Sequence, residues 1–332
     1  MKLSDLPIGS KIKFGRYQVK DEDPEVITWI IIDQNHKRFP KDSTTLYSEY
    51  ILDRRSFDDD KYNGLIEPEN PSSDDRDDFG NNDYYLSNIR QWMNSDASYG
   101  QWYHPTYEFD NPPYYKERPG FLYHFSLQEK KLILNTNIIY FKNDLLLEDA
   151  YDIPTITSPY FITDKIFLLS AHEICQFNLT QISFEDDGNS IGFIGDGDIF
   201  DFLYFADQRI CNSSPQYERI ILESEDENNN EDPYFSKYYL RTPTYYHHIF
   251  TGVSQIDAYM GTPVPWQESR ANNKEGFRPA LNLKSTVEVS ENPDENGYYS
   301  IILPELSVAS KFKKIALEED NNLLFKKIQL ID

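Results

Sequence analysis

The sequence predicts a mixed α+β domain with small mixed sheets, few helices and long irregular loops, and three observations predict it. Short alternating or β-branched apolar runs recur along the chain, few stretches keep helical spacing, and the connections are rich in Asp, Asn, Pro and Gly. With 332 residues, 39% of them hydrophobic, the chain can bury a sizeable core, and its length suits one large domain or two modest ones.

The elements follow in order. Lys11–Tyr17 alternates polar and apolar residues, Val26–Asp33 is a β-branched run around Trp29, and Thr45–Asp53 is a third run. Each reads as a strand, with the acidic turn Asp21–Pro24 separating the first two. Asp58–Asn82 reads as a long surface loop. Tyr85, Leu86, Ile89 and Trp92–Met93 then follow helical spacing that ends near Asn94. Gly100–Pro119 is an irregular aromatic-proline segment. Ser126 with Glu129 forms a capping box for a second helix, and Ser170 with Glu173 repeats the pattern for a short one. Ile138–Phe141 and Thr163–Leu169 read as strands. Glu185–Asp201 concentrates Asp and Gly, and Glu223–Pro233 is an acidic low-complexity loop. Tyr238–Leu240 and Gly276–Leu283 read as short strands around a long loop, and a hairpin is expected at Asn292–Gly297, with Tyr298–Leu303 as its return strand. The expected organisation is a single domain over residues 1–304, with an insert at 100–119 and the acidic loop at 223–233, followed by an appendage over 305–332.

The net charge of −24, from 56 acidic and 32 basic residues, repels phosphate backbones and anionic membrane surfaces, so no nucleic-acid partner is expected. No stretch is long and apolar enough to cross a bilayer. The N-terminus, MKLSDLPIGSKIKFGRY, lacks the apolar core of a signal peptide. Cytoplasmic synthesis is therefore expected, with any exit by lysis, a tail structure or a non-classical route. Cys175 and Cys211 show no metal-ligand spacing and read as two buried thiols, with a single disulfide as the alternative. The aromatic share of 15% includes 25 Tyr and 21 Phe, which either an AT-rich genome or a recognition surface produces, so local clusters carry the argument.

Several segments together resemble an uncharacterised domain family of bacteria and their phages. They are Ile12–Tyr17 with Trp29, Tyr50–Arg55, Ile89–Asn94, Asp164–Ser170, Tyr238–Pro243 and Gly276–Leu281. The last two also resemble the signature strands of the formylglycine-generating-enzyme-like branch of C-type lectin folds. That resemblance implies a C-type-lectin-like fold whose ligand loops lie between these strands, in a group that includes phage tail-tip and bacterial surface proteins. It does not imply the oxidase activity, because Cys175 and Cys211 match neither the place nor the spacing of that branch's copper-serving pair. The chain departs from the family at Gly100–Pro119, at Glu223–Pro233 and after Pro304.

Candidate contact residues cluster in Thr244–Glu275, where Tyr245, Tyr246, His247, Tyr259, Trp266, Gln267 and Arg270 stand between the two anchoring strands. Aromatic faces, Arg and adaptable amides are what a recognition surface uses, although such aromatics also pack a loop onto its domain. Trp102, Tyr103, Tyr107 and Tyr114 offer a secondary set, with an ordered flap over the core as the alternative. Arg241 and Arg278, and likewise Arg54 and Arg55, read as buried structural cations that need carboxylate or carbonyl partners. Asp196 and Asp198, within an acidic stretch, are a weak calcium candidate that lacks the EF-hand pattern. His247–His248 are adjacent without a third ligand, and no GxSxG, P-loop or GxGxxG is present. No cofactor other than that calcium is expected. The function expected is a non-enzymatic ligand-binding module, a receptor- or glycan-binding protein of phage or phage-like origin recognising a protein or glycan receptor. The alternatives are a bacterial interaction protein of unknown partner and a divergent carbohydrate hydrolase.

Overall fold

The computed structural model describes residues 1–60, 80–106, 110–140, 160–174, 200, 214–223, 237–246, 249–257 and 267–304. The chain divides into two compact units, Met1–Ile302 and Leu303–Asp332, and every element below belongs to the first. It is a mixed α+β fold of small mixed sheets and short helices, as the alternating runs predict.

The largest sheet grows from the N-terminal runs. β1 (Lys11–Tyr17) pairs antiparallel with β2 (Glu25–Gln34), and β2 with β3 (Ser43–Ser48). β3 pairs with β12 (Pro279–Lys284), and β12 with β7 (Ile166–Leu168). On the far edge, β13 (Tyr298–Ser300) lies parallel to β1, which gives the order β13-β1-β2-β3-β12-β7. Residues in register across neighbouring strands share a face, so Ile31, Leu46, Leu281 and Ile166 form one row, and all four are fully buried. β1 keeps its inward row only by bulging between Lys13 and Arg16. Gly15 sits in that bulge at φ +70°, and an added Cβ there would collide with the Phe125 ring.

A second sheet has the order β10-β9-β8-β11-β4, from β4 (Asp53–Arg55), β8 (Lys237–Tyr246), β9 (Ile249–Asp257), β10 (Gln267–Arg270) and β11 (Glu275–Phe277). A two-stranded sheet joins β5 (Thr136–Tyr140) to β6 (Tyr160–Asp164). The expected strands Thr163–Leu169 and Gly276–Leu283 are each divided between sheets. The first breaks at Lys165 into β6 and β7, and the second breaks at Arg278 into β11 and β12.

Side chains hold both breaks. α1 (Asn88–Met93) is capped by Ser87, whose hydroxyl accepts from the Arg90 N–H. From this helix Arg90 donates two hydrogen bonds of 2.8 and 2.9 Å to the buried Asp164 carboxylate. Asn94 accepts from the Lys165 and Ile166 N–H groups and donates to the Ile166 carbonyl, which satisfies the backbone where the ladder changes sheets. At the second break Arg278 is buried, stacks 4.0 Å from the Tyr47 ring centroid and donates to the Ser48 carbonyl. The two capping boxes expected from sequence are present: Ser126 with Glu129 opens α2 (Leu127–Leu132), and Ser170 with Glu173 opens α3 (Ala171–Ile174). α4 (Pro215–Glu223), which the sequence reading did not place, starts with Pro at its first position behind the cap Ser214.

Candidate functional site

The motif residues are structural. Arg241 donates to the carbonyls of Ile139 and Leu168 and makes a two-point pair with Glu173 at 2.7 Å. Arg55 pairs with Asp53 at 2.9 Å and donates to the Tyr17 hydroxyl, with its guanidinium over the rings of Trp92 and Tyr115. Burial raises the Tyr17 hydroxyl well above the usual tyrosine range, so it stays protonated and donates to Asp53. Both guanidinium groups are enclosed, Arg241 by carbonyls and a carboxylate and Arg55 by Asp53, Tyr17 and two rings with its buried Nε left without a hydrogen bond, so neither offers a face to a ligand.

The proposed aromatic loop contains more regular structure than expected. Tyr245 and Tyr246 end β8, Gln267 and Arg270 bound the edge strand β10, and His247, Tyr259 and Trp266 lie outside the described residues. Thr244 and Arg270 both register with Gly252, whereas Gln267 lies level with Gln255 and Tyr239. Arg270 therefore shares the hairpin-tip end of this sheet with Tyr245 and Tyr246, and Gln267 sits about 10 Å back along the strands. Arg270 is exposed.

The secondary set separates. Trp102 is 1% exposed and stacks on Tyr115 at 5.4 Å, so it closes the core as a flap residue and is not a contact residue. Tyr103 is partly buried, Tyr114 is half exposed beneath the Lys274 ammonium, and Tyr107 lies outside the described residues. Asp196, Asp198, Cys175 and Cys211 also lie outside them. Among the described residues no three His, Cys, Asp or Glu side chains converge on a metal position.

A cleft of about 420 Å³ opens against β1 and β2, beside the start of α4 and the turn before β13. Its apolar floor includes Ile27 and Leu52, both buried. The parallel register of Lys11 with Tyr298 sets the tyrosine ring within 5.6 Å of the Lys11 ammonium and 5.2 Å of Lys13. Asp294 holds the turn that carries the lining residues Asn296 and Tyr298: one carboxylate oxygen accepts from their N–H groups, and the other accepts from Lys13 at 2.5 Å. The Lys13 bond, helped by those N–H donors, holds the Asp294 carboxyl below its ordinary range. Lys11 pairs with Glu49 at 2.6 Å, and that bond raises its ammonium above the usual lysine value. Burial, followed by the charge and hydrogen bond of Glu49, pushes the Tyr298 hydroxyl up.

On the opposite wall Ser214 is tied down by its N–H to the Ile51 carbonyl and its hydroxyl to the Leu52 carbonyl. That anchor fixes Gln216, which is 4% exposed and donates its amide nitrogen to the Asp23 carbonyl at 2.8 Å. Only the NH2 end of an amide can serve a carbonyl, so the Gln216 side-chain oxygen remains an acceptor in the cleft wall. Sequence reasoning missed this site because its walls come from opposite ends of the chain. The turn at Asn292–Gly297 was legible, but its parallel docking on β1 was not.

No helix among the described residues is long and apolar enough to cross a membrane. No curated protein and no solved structure matches the chain. A family model, described as a domain of unknown function (DUF6273), matches residues 41–285, from just before β3 to just past β12 and more than half of the chain, and the chain belongs to that family.

Proposed function

We propose that the protein is a non-enzymatic ligand-binding module, a receptor- or glycan-binding protein of phage or phage-like origin. The cleft of about 420 Å³ carries this reading, because a pre-formed concavity with an apolar floor and a few fixed polar groups is how small ligands are held. The origin rests on the sequence resemblance alone. The C-type-lectin-like reading is supported by the pairing of Tyr238 with Gly276 and by the complete burial of Leu240, Phe277 and Leu281. Residues 258–266 join two strands of the same sheet, so the hairpin end near Arg270 is a second contact region within this reading.

The cleft's ionic groups favour binding over hydrolysis. Glycoside hydrolysis uses a pair of carboxyls, whereas Glu25 is the one carboxylate among the described residues that line the cleft, and it is paired with Arg219 at 2.6 Å. Val26, 40% exposed on β2, lines the cleft, so Val26→Trp fills it from a strand position that tolerates an aromatic residue. The full-length protein should bind a defined glycan or receptor saturably and release no reducing sugar on prolonged incubation. Val26→Trp should keep the melting temperature and lose the binding. Release of reducing ends would move the protein to the carbohydrate-hydrolase class.

A further inference from the structure

We infer that the cleft takes an uncharged, hydroxyl-rich ligand: a neutral saccharide without carboxylate, sulfate or phosphate groups. This rests on the binding reading above and assigns the chemical class of its ligand. The argument is one of charge compensation. Of the lining residues, Lys13 is held by Asp294 at 2.5 Å and Glu25 by Arg219 at 2.6 Å, and Lys11 on the same strand as Lys13 is held by Glu49 at 2.6 Å, so the charges that line the cleft are paired. An anionic ligand reaching for Lys13 meets the Asp294 carboxylate already seated there, inside a chain of net charge −24. A cationic ligand meets the paired ammonium groups.

Neutral polar groups remain for the ligand. Gln216 presents a fixed amide oxygen from a side chain that is almost fully enclosed, and Thr28 and Asn296 add a hydroxyl and an amide. Ile27 and Leu52 supply the apolar floor. Oriented amide and hydroxyl groups over an apolar surface suit the alternating OH and C–H faces of a sugar ring. The rim residues Lys13, Val26, Asn296 and Tyr298 lie outside the family's matched span, whereas Tyr50, Leu52 and Gln216 lie inside it. The cleft is therefore built from residues both inside and outside the matched span.

The test is a glycan panel in which each neutral oligosaccharide is paired with its sialylated or sulfated counterpart, read with the full-length protein at two salt concentrations. Neutral members should bind, with affinity changing by less than about twofold between 50 and 500 mM NaCl, since no ion pair forms to be screened. Asn296→Ala should weaken binding about three- to tenfold, the scale of one lost hydrogen bond. It leaves the Asp294 turn intact, because only the Asn296 backbone N–H serves that turn. Val26→Trp should weaken binding by at least about tenfold at an unchanged melting temperature. If Val26→Trp fails to fold, Asn296→Ala decides alone. Binding confined to the acidic members and falling with salt overturns the neutral class while leaving a glycan-binding module in place. Neutral binding that neither variant alters removes the cleft as its site. Absence of binding to every member defeats the inference and its parent reading together.

Discussion

At the scale of single residues, Arg241, Arg278 and Arg55 are buried with the carboxylate or carbonyl partners expected of them. Arg54, read with them as buried, is only half-buried and donates to the Lys274 carbonyl. Arg241 shows why buried cations need such partners: its four hydrogen bonds reach two strand carbonyls and both oxygens of Glu173, with almost no exposed surface on either side chain. Replacing Arg241 by Leu leaves the Glu173 charge enclosed, and we expect a loss of about 3–5 kcal/mol in urea unfolding. Arg241→Leu with Glu173→Gln should recover part of it, since the glutamine keeps the Ser170 N–H satisfied and carries no charge; a strictly additive double variant contradicts the pairing. Asp59 behaves differently. Burial, with the charges of Asp60 and Asp58 beside it, raises its carboxyl to about 6. A carboxyl whose folded pKa lies above its unfolded value binds its proton more tightly when folded. Its stabilising contribution is full below about 4, the ordinary aspartate range, and is lost as pH rises through 6. Asp59→Asn should therefore raise the melting temperature at pH 7.5 and give no gain at pH 4, where the native residue is already neutral. An equal shift at both pH values would mean that the charge is not the cause.

At the scale of elements, what was legible was local. The alternation of β1 and the capping boxes at Ser126 and Ser170 depend on neighbours within a few positions, and all are present. The strand breaks at Lys165 and Arg278 were not legible, because Thr163–Lys165 reads as the polar start of the Ile166–Leu169 run, apolar residues continue past Arg278, and only distant partners, Asn94 and Ser48, mark the change of sheet. The β8–β9 hairpin was read as loop because only His247 and His248 separate its strands, without the Asn-Gly or Asp-Gly signal of a tight turn. This changes what the aromatic region can be: two cross-paired strands and an edge strand instead of a free loop. The contact-surface expectation is still decided by Trp266. Trp266→Ala should leave the thermal melt nearly unchanged and weaken receptor binding by about 2 kcal/mol or more if the residue is a contact. A core tryptophan would instead show a stability loss of about 3–5 kcal/mol. Loss of the melt transfers the whole binding role to the cleft.

At the scale of the molecule, charge imbalance and site charge pull in different directions. The 24 excess negative charges repel one another across the surface, and compaction brings them closer than in the unfolded chain. Exposed pairs such as Arg219 with Glu25 oppose this, but each contributes at most about 1 kcal/mol and weakens with salt. The buried pairs, Arg241 with Glu173 and Arg55 with Asp53, are shielded from the solvent and change little. Added NaCl thus removes a net repulsion more than it removes attraction, because its screening length falls to about 10 Å by 0.1 M. The melting temperature should rise steadily from 20 to 300 mM NaCl at pH 7.5. The same titration repeated at pH 5, where part of the acidic excess is neutralised, should give a smaller rise. Neutral-ligand affinity in the cleft should stay flat across both series, since the ligand forms no ion pair for salt to screen. A melting temperature that falls with salt at pH 7.5 would show that surface pairs dominate over the net charge. The argument that an anionic ligand is excluded by the field of the whole chain would then lose its footing, leaving only the local pairing of Lys13 with Asp294 to support it.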